Sequence, residues 1–322
     1  MSLNETTFYD SNMEMSSDKD LTRMESMLTK EQTVYAQHDY FARPLPISPR
    51  NEMPVDPICR QIMAKWCTSL CKFCNYDRRM VGSVMSCVDR FVATPEGFKT
   101  LLSRDEYQLV VMASLYLVAK IQQTQALEPE SVAKLSRGKY SKENIEDMEL
   151  RILCSLGWFV HPPTAMSFAH EFLENFDLVP QDYDDESSIS STSTTAEQKV
   201  MDLVRCQVEE ATFHYELCCL TRPSHVAYAA LWNALESLSV DSSNEMKALK
   251  QHLKIMDGAF ISSSLLEIVS SSEESELSSL LLHGTNSTNK ENQNEGHKTK
   301  DSTLFSRPSS SSITSSPRTV VA

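Results

Sequence analysis

The most continuous apolar stretch of the chain is centred on YQLVVMASLYLVAK, within the run from Glu106 to Gln123. Between Leu109 and Ala119 only Ser114 and Tyr116 interrupt it. An amphipathic surface helix would show a polar face at 3.6-residue spacing, and this run has none. It is too long for an ordinary strand and lacks period-2 alternation. It is also too short and interrupted to span a bilayer. The pattern therefore predicts a helix surrounded by other helices, with a capping-box start at Ser103 and Glu106 and with Lys120 at its lip.

The flanking patterns supply the neighbours. Asp56-Pro57 marks a helix start, and Ile58, Ile62, Trp66, Leu70 and Phe73 follow at helical spacing. Met80, Val81, Val84, Met85, Val88 and Phe91 form a second helix that stops before Thr94-Pro95. After the buried third helix come a short fourth, Pro129–Ser136, and a fifth opened by Ser141 and stopped by Gly157. Together these predict a closed five-helix bundle over 52–160. A second helical set over 161–270 begins with Phe168, Phe172 and Phe176. It continues through Val200–Cys219, Pro223–Leu238, Lys247–Met256 and Ile261–Val269. Residues 1–51 read as a polar N-terminal tail with one helix, about Leu21–Phe41, ended by RPLPISPR. The acidic, hydroxyl-rich stretch 182–195 reads as a surface insertion, and 271–322 as a disordered tail. The fold class expected is all-α, with two tandem five-helix folds between disordered N- and C-terminal tails.

Composition narrows the chemistry. Hydrophobic residues make up 41% of the chain, enough for real cores, but it has only 7 glycines, too few for the glycine-rich loops of nucleotide-binding α/β folds. The net charge of -14 repels phosphate backbones, so neither nucleic acid nor an anionic membrane is expected as a partner. Without a signal peptide or a transmembrane run, the compartment expected is nucleus and cytoplasm.

Few residues suggest catalysis. Cys67, Cys71 and Cys74 have the CxxxCxxC spacing of an iron–sulfur motif, but they fall inside the first predicted helix, beside Trp66 and Leu70. Core cysteine is the favoured reading, and iron analysis of anaerobically purified protein would separate the two. No HExxH, GxSxG, P-loop or GxGxxG occurs, and no catalytic residue, metal or cofactor is expected. The informative residues are charges within apolar helices. Arg60 and Asp89 are each costly to bury alone, so they are expected to face each other as an internal ion pair. Lys120 and Glu149 are placed near helix ends, where a charge can reach outward; a plain surface role is the alternative.

In order and with matching gaps, CRQIMAKW, CNYDRRMVGSVMSCVDRFVA, QLVVMASLYLVAK and NIEDMELRILCSLGWFVHPPT resemble the cyclin box, from about Asp56 to Pro163. RPSHVAYAALWNAL is similar, more weakly, to the third helix of the second cyclin fold. The family's invariant arginine, aspartate, leucine, lysine and glutamate map onto Arg60, Asp89, Leu109, Lys120 and Glu149.

The resemblance implies a non-catalytic regulatory subunit that binds and allosterically activates a cyclin-dependent Ser/Thr kinase. It implies kinase contacts at Lys120 and Glu149, ringed by Ile121, Leu153, Trp158 and Val160. It also implies a substrate-docking patch at Ile62, Met63, Trp66 and Gln108, and kinase substrates and inhibitors as further partners. Cys59 stands where that patch usually has methionine, and Thr68-Ser69 where the family often carries an acid, so weak recruitment of basic-hydrophobic peptides is expected. Ile121-Gln122-Gln123 replace a frequent acidic pair after the lysine, which leaves the choice of kinase open. The N-terminal MLTKEQTVYAQHDYF resembles the segment preceding the box in D-type-like cyclins and points toward a G1 or G1/S role. Lys290-Glu291-Asn292 matches a KEN degron; the same triplet recurs at Lys142-Glu143-Asn144 inside a predicted helix. The alternatives are a transcription or nutrient-signalling cyclin without periodic expression, and a transcription-factor-like scaffold with duplicated cyclin folds.

Overall fold

The structure is a computed structural model that describes residues 23–45, 53–125, 127–176, 178–179, 196–240, 242–255 and 263–268. The described residues are helices and connecting turns, with no strand among them. The insertion 182–195 and the segment 271–322 lie outside them.

Helix α1 covers residues 23–32. The first fold follows as α2 (Pro57–Cys74), α3 (Met80–Ala93), the single turn α4 (Pro95–Phe98), a 3-10 turn (Lys99–Leu102), α5 (Arg104–Gln122), α6 (Pro129–Leu135) and α7 (Lys142–Ser155). Asp56 caps α2, accepting from the Cys59 amide at 2.6 Å, with Pro57 preset for the first turn. Helix α5 is the axis: every residue from Val110 to Ala119 is buried, packed against α2, α3, α6 and α7. Ser103 stands at its N-cap without the side-chain bond that the capping-box spacing predicts. The acidic first turn, Asp105 and Glu106, meets the helix dipole instead.

The second fold is α8 (Ala165–Asn175), α9 (Ala196–Ala211), α10 (Pro223–Ser237), α11 (Ser243–Leu253) and α12 (residues 263–268). Helix α10 repeats the role of α5, with Val226 to Leu231 wholly buried against α8, α9 and α11. Its alanines, Ala227, Ala229, Ala230 and Ala234, let neighbouring backbones approach.

The single helix expected over Val200–Cys219 is instead two pieces. Helix α9 ends at Ala211, tightened by i to i−3 bonds from the amides of Phe213 and His214, and a π-helical turn follows at Glu216–Leu220. The break leaves the Thr212 carbonyl to accept from Arg60 Nη1 at 3.1 Å. It also lets Tyr215 and Cys219 pack into the first core while Leu217 packs into the second.

The segment 23–45, which the sequence placed in a tail, is packed against both cores. Met24 is fully buried in the second and Tyr40 almost fully in the first. Glu31 is buried at the start of α10, where it accepts from the Ser224 amide at 3.1 Å and the Ser224 hydroxyl at 2.6 Å.

Candidate protein-docking site

Arg60 and Asp89 come together where α2 crosses α3. The Arg60 Nε and Nη2 donate to the two carboxylate oxygens of Asp89 at 2.9 and 2.7 Å, and both residues are buried. Burial alone would pull the guanidinium's pKa down, yet the adjacent carboxylate holds it well above its usual value. Tyr40 donates to Asp89 at 2.9 Å, and Thr212 supplies the carbonyl for Nη1. The sequence offered no sign of these two partners, because one is a main-chain oxygen and both are remote in sequence.

Lys120 and Glu149 also meet. Lys120 lies in the last turn of α5, its ammonium 4.5 Å from the Tyr116 ring centroid and in ion-pair contact with Glu149 Oε1. The Lys120 side chain is 40% exposed, that of Glu149 only 10%. The expectation that Glu149 sits near a helix end is corrected: it lies in the middle of α7, on the face turned toward α5.

Beside the pair, exposed apolar side chains form a rim: Ile121, Leu150, Trp158 and Phe159. Trp158 is set by the turn that ends α7. Gly157 has φ 58° and Trp158 φ 67°, and the Trp158 amide donates back to the Leu153 carbonyl at 2.9 Å. Its ring is left 65% exposed. The Phe159 carbonyl accepts from Arg90 at 2.8 Å, and the Arg90 guanidinium stacks 4.7 Å over Tyr35 of the N-terminal segment. Leu153, expected at the rim, is turned into the first core, and Val160 is partly buried against it. Leu150 and Phe159 were missed by sequence reading. Their signal was an apolar residue off the buried stripe of α7 and an aromatic next to Trp158.

A second exposed surface lies on α2. Ile62 is exposed and Met63 and Trp66 are half-buried, while Gln108 of α5 accepts through Oε1 from Lys139 at 3.0 Å and Tyr140 at 3.2 Å. Ile58 is exposed beside Ile62. The cysteine triplet lies within α2, with Cys67 and Cys71 buried. Burial pushes the Cys71 thiol up to about 12, which disfavours the thiolate that a metal requires. Among the described residues no group of His, Cys, Asp or Glu could hold a metal ion, and no helix is long and apolar enough to cross a membrane. Lys290, Glu291 and Asn292 lie outside the described residues. In the triplet at 142–144, Lys142 pairs with Glu130 at 2.9 Å and the Asn144 side chain accepts from the Ser141 amide to close the α7 capping box.

Residues 22–161 match the family model of the cyclin N-terminal domain. That stretch of the chain carries a cyclin box. The chain aligns with G1/S-specific cyclin-E1 of Gallus gallus, 27% identical over 151 residues, which is 46% of this chain and 34% of that protein. Cyclin-B1-1 of Arabidopsis thaliana is 26% identical over 151 residues, 47% of this chain and 30% of that one. The match thus spans about a third of these curated relatives' length. The crystal structure of a viral cyclin from herpesvirus saimiri superposes with a TM-score of 0.54 at 14% identity, covering 79% of this chain and 96% of that one. That likeness extends the shared cyclin fold beyond the N-terminal box.

Proposed function

We propose that this cyclin-box protein is a non-catalytic regulatory subunit that binds and activates a cyclin-dependent Ser/Thr kinase, in nucleus and cytoplasm, during cell-cycle progression. The observation that carries the reading is the Lys120–Glu149 pair set against the apolar rim of Ile121, Leu150, Trp158 and Phe159. Lysine brings three donors suited to carbonyl oxygens and glutamate only acceptors, suited to amide hydrogens. Held together across α5 and α7, the two are preorganised to receive both ends of a kinase's backbone polar groups, while the rim supplies apolar area. Activation follows if the kinase conformer with its lysine–glutamate pair formed presents this face better than the inactive one, since binding shifts a population only by its difference in affinity. A G1 or G1/S assignment is supported by the N-terminal segment and by the G1/S-specific name of the avian relative; the plant B-type relative leaves G2 as the competing phase.

The test is a pull-down of kinase activity with Lys120→Ala/Glu149→Ala, alongside Trp158→Ser and a thermal melt of each. Removing both charges together avoids stranding a mostly buried carboxylate. The expected loss is about 2–5 kcal/mol of binding free energy, at least tens-fold in affinity. Folded variants that still bind and activate the kinase normally would defeat the assignment. Protein abundance across a synchronised culture tests the phase; a flat profile would favour a nutrient or transcription cyclin.

A further inference from the structure

Where the two folds meet, the start of α3 and the break between α9 and α10 leave a half-open cavity of about 800 Å3, its mouth included. Val81 of the first core and Leu217 and Val226 of the second line it, so its wall is mostly apolar. The space is narrow for its volume, and no residue of the Lys120–Glu149 face belongs to it. Apolar cavities with a few convergent polar groups are the usual form of a small-molecule site.

Two features of the wall are not explained by packing. Gly82, in the first turn of α3, has no left-handed backbone, and a Cβ there would meet nothing nearer than Thr212 Oγ1 at 4.0 Å. Glycine is a poorer helix former than alanine, and the bare turn it leaves suits close approach by a ligand. Gln37 is the second. Its Oε1 is buried in the same wall and accepts no hydrogen bond among the described residues. A donor on an occupant would relieve the cost of that orphaned oxygen. The Thr68 and Thr212 hydroxyls donate to the Ala64 and Val208 carbonyls at 3.2 and 2.9 Å, so they too have only lone pairs to offer. At the mouth Arg78 lies 3.4 Å from Glu209, and Arg79 Nε donates to Asp77 at 2.7 Å. Each charge there is matched by its opposite, which favours a neutral occupant.

We propose that the seam between the folds binds a small, neutral, flat aromatic molecule that carries one N–H donor. Its ring lies against the bare turn at Gly82, among Val81, Leu217 and Val226, and its N–H donates to Gln37 Oε1. A flat ring matches the narrowness of the space, and a single donor matches a wall whose inner polar atoms accept. The site does not depend on the kinase reading and stands or falls apart from it.

The experiment is a ligand-observed NMR titration of the full chain with indole, and with 1-methylindole, which keeps the ring and lacks the N–H. Indole is expected to bind more tightly by about threefold or more, the effect of one hydrogen bond. Gln37→Leu should remove that preference by weakening indole alone. Gly82→Leu should abolish binding of both probes by filling the space. Gly82→Ala should weaken both while raising the melting temperature by about 1–4 °C. A glycine kept for packing would instead lower the melt when replaced, and that result overturns the proposal. Lys120→Ala/Glu149→Ala should leave both titrations unchanged. If Gly82→Leu does not fold, Gly82→Ala and Gln37→Leu decide the matter between them. A native chain that binds neither probe, or both equally, overturns the proposal, as does indole binding that no substitution at Gly82 or Gln37 moves.

Discussion

Arg60 ties its guanidinium to two separate segments: Asp89 of α3 through two bonds, and the Thr212 carbonyl of the second fold through a third. Tyr40 of the N-terminal segment joins through Asp89. Removing the arginine strands a buried carboxylate, so Arg60→Ala should cost about 3–5 kcal/mol and lower the melting temperature by roughly 6–20 °C. An unchanged melt would mean that water replaces the guanidinium. Replacing both Arg60 and Asp89 by apolar residues should not restore full stability, because the buried Tyr40 hydroxyl would lose its acceptor and the Thr212 carbonyl would keep only the weak Cys218 thiol donor. Trp158 presents the opposite case. A tryptophan at φ 67° carries backbone strain of about 1–2 kcal/mol, and its ring is too exposed to offset much of it. Trp158→Asn should therefore raise thermal stability by about 1 kcal/mol while weakening kinase capture. A destabilised Trp158→Asn would show that the ring packs more than its exposure suggests. The Arg60–Asp89 pair was legible because each charge interrupts an apolar pattern; the strain at Trp158 was not, since it arises from a turn geometry.

Among the elements, the link from α1 to α10 has a pH signature. Burial raises the Glu31 carboxyl above its ordinary value, while its bonds from Ser224 and the nearby Arg222 hold it down in part. A carboxyl whose folded value exceeds its unfolded one binds its proton more tightly when folded. That part of stability is gained as pH falls from the folded value toward the unfolded 4.5, and lost as pH rises through the folded value. Relative to Glu31→Gln, the native chain should therefore gain thermal stability between pH 7 and pH 5. A gap that widens in the other direction would mean that the ionised carboxylate is the better cap. Helices α2, α3, α5, α7 and α10 were readable from periodicity and punctuation, since proline, asparagine and glycine mark their ends. The division of Val200–Cys219 was not, because apolar residues continue through it and the Arg60 bond that uses the freed Thr212 carbonyl comes from a residue remote in sequence. The central placement of Glu149 already follows from the expected bounds at Ser141 and Gly157; its burial against α5 was not legible, because it depends on the packing of the two helices.

At the largest scale described, the two folds are joined by interleaving. Tyr215 and Cys219 lie in the first core and Leu217 in the second, while segment 23–45 contributes Tyr40 to one and Met24 to the other. Neither core can open without exposing side chains of the other's segments. Urea unfolding followed at Trp66, in the first fold, and separately at Trp232, in the second, should give one shared midpoint. Two midpoints would show that the halves melt independently.

The third bond of Arg60 also has a consequence in time. Its acceptor lies 152 residues downstream, so at ribosomal speeds of roughly 5–20 residues per second the guanidinium waits roughly 8–30 s for it. During that interval the first fold can pair Arg60 with Asp89 but cannot close over the remaining N–H. The nascent chain thus carries a latch that only its own later translation can fasten. Stalled ribosome complexes ending before and well after Thr212 should differ sharply in how fast a protease cuts within α2 and α3.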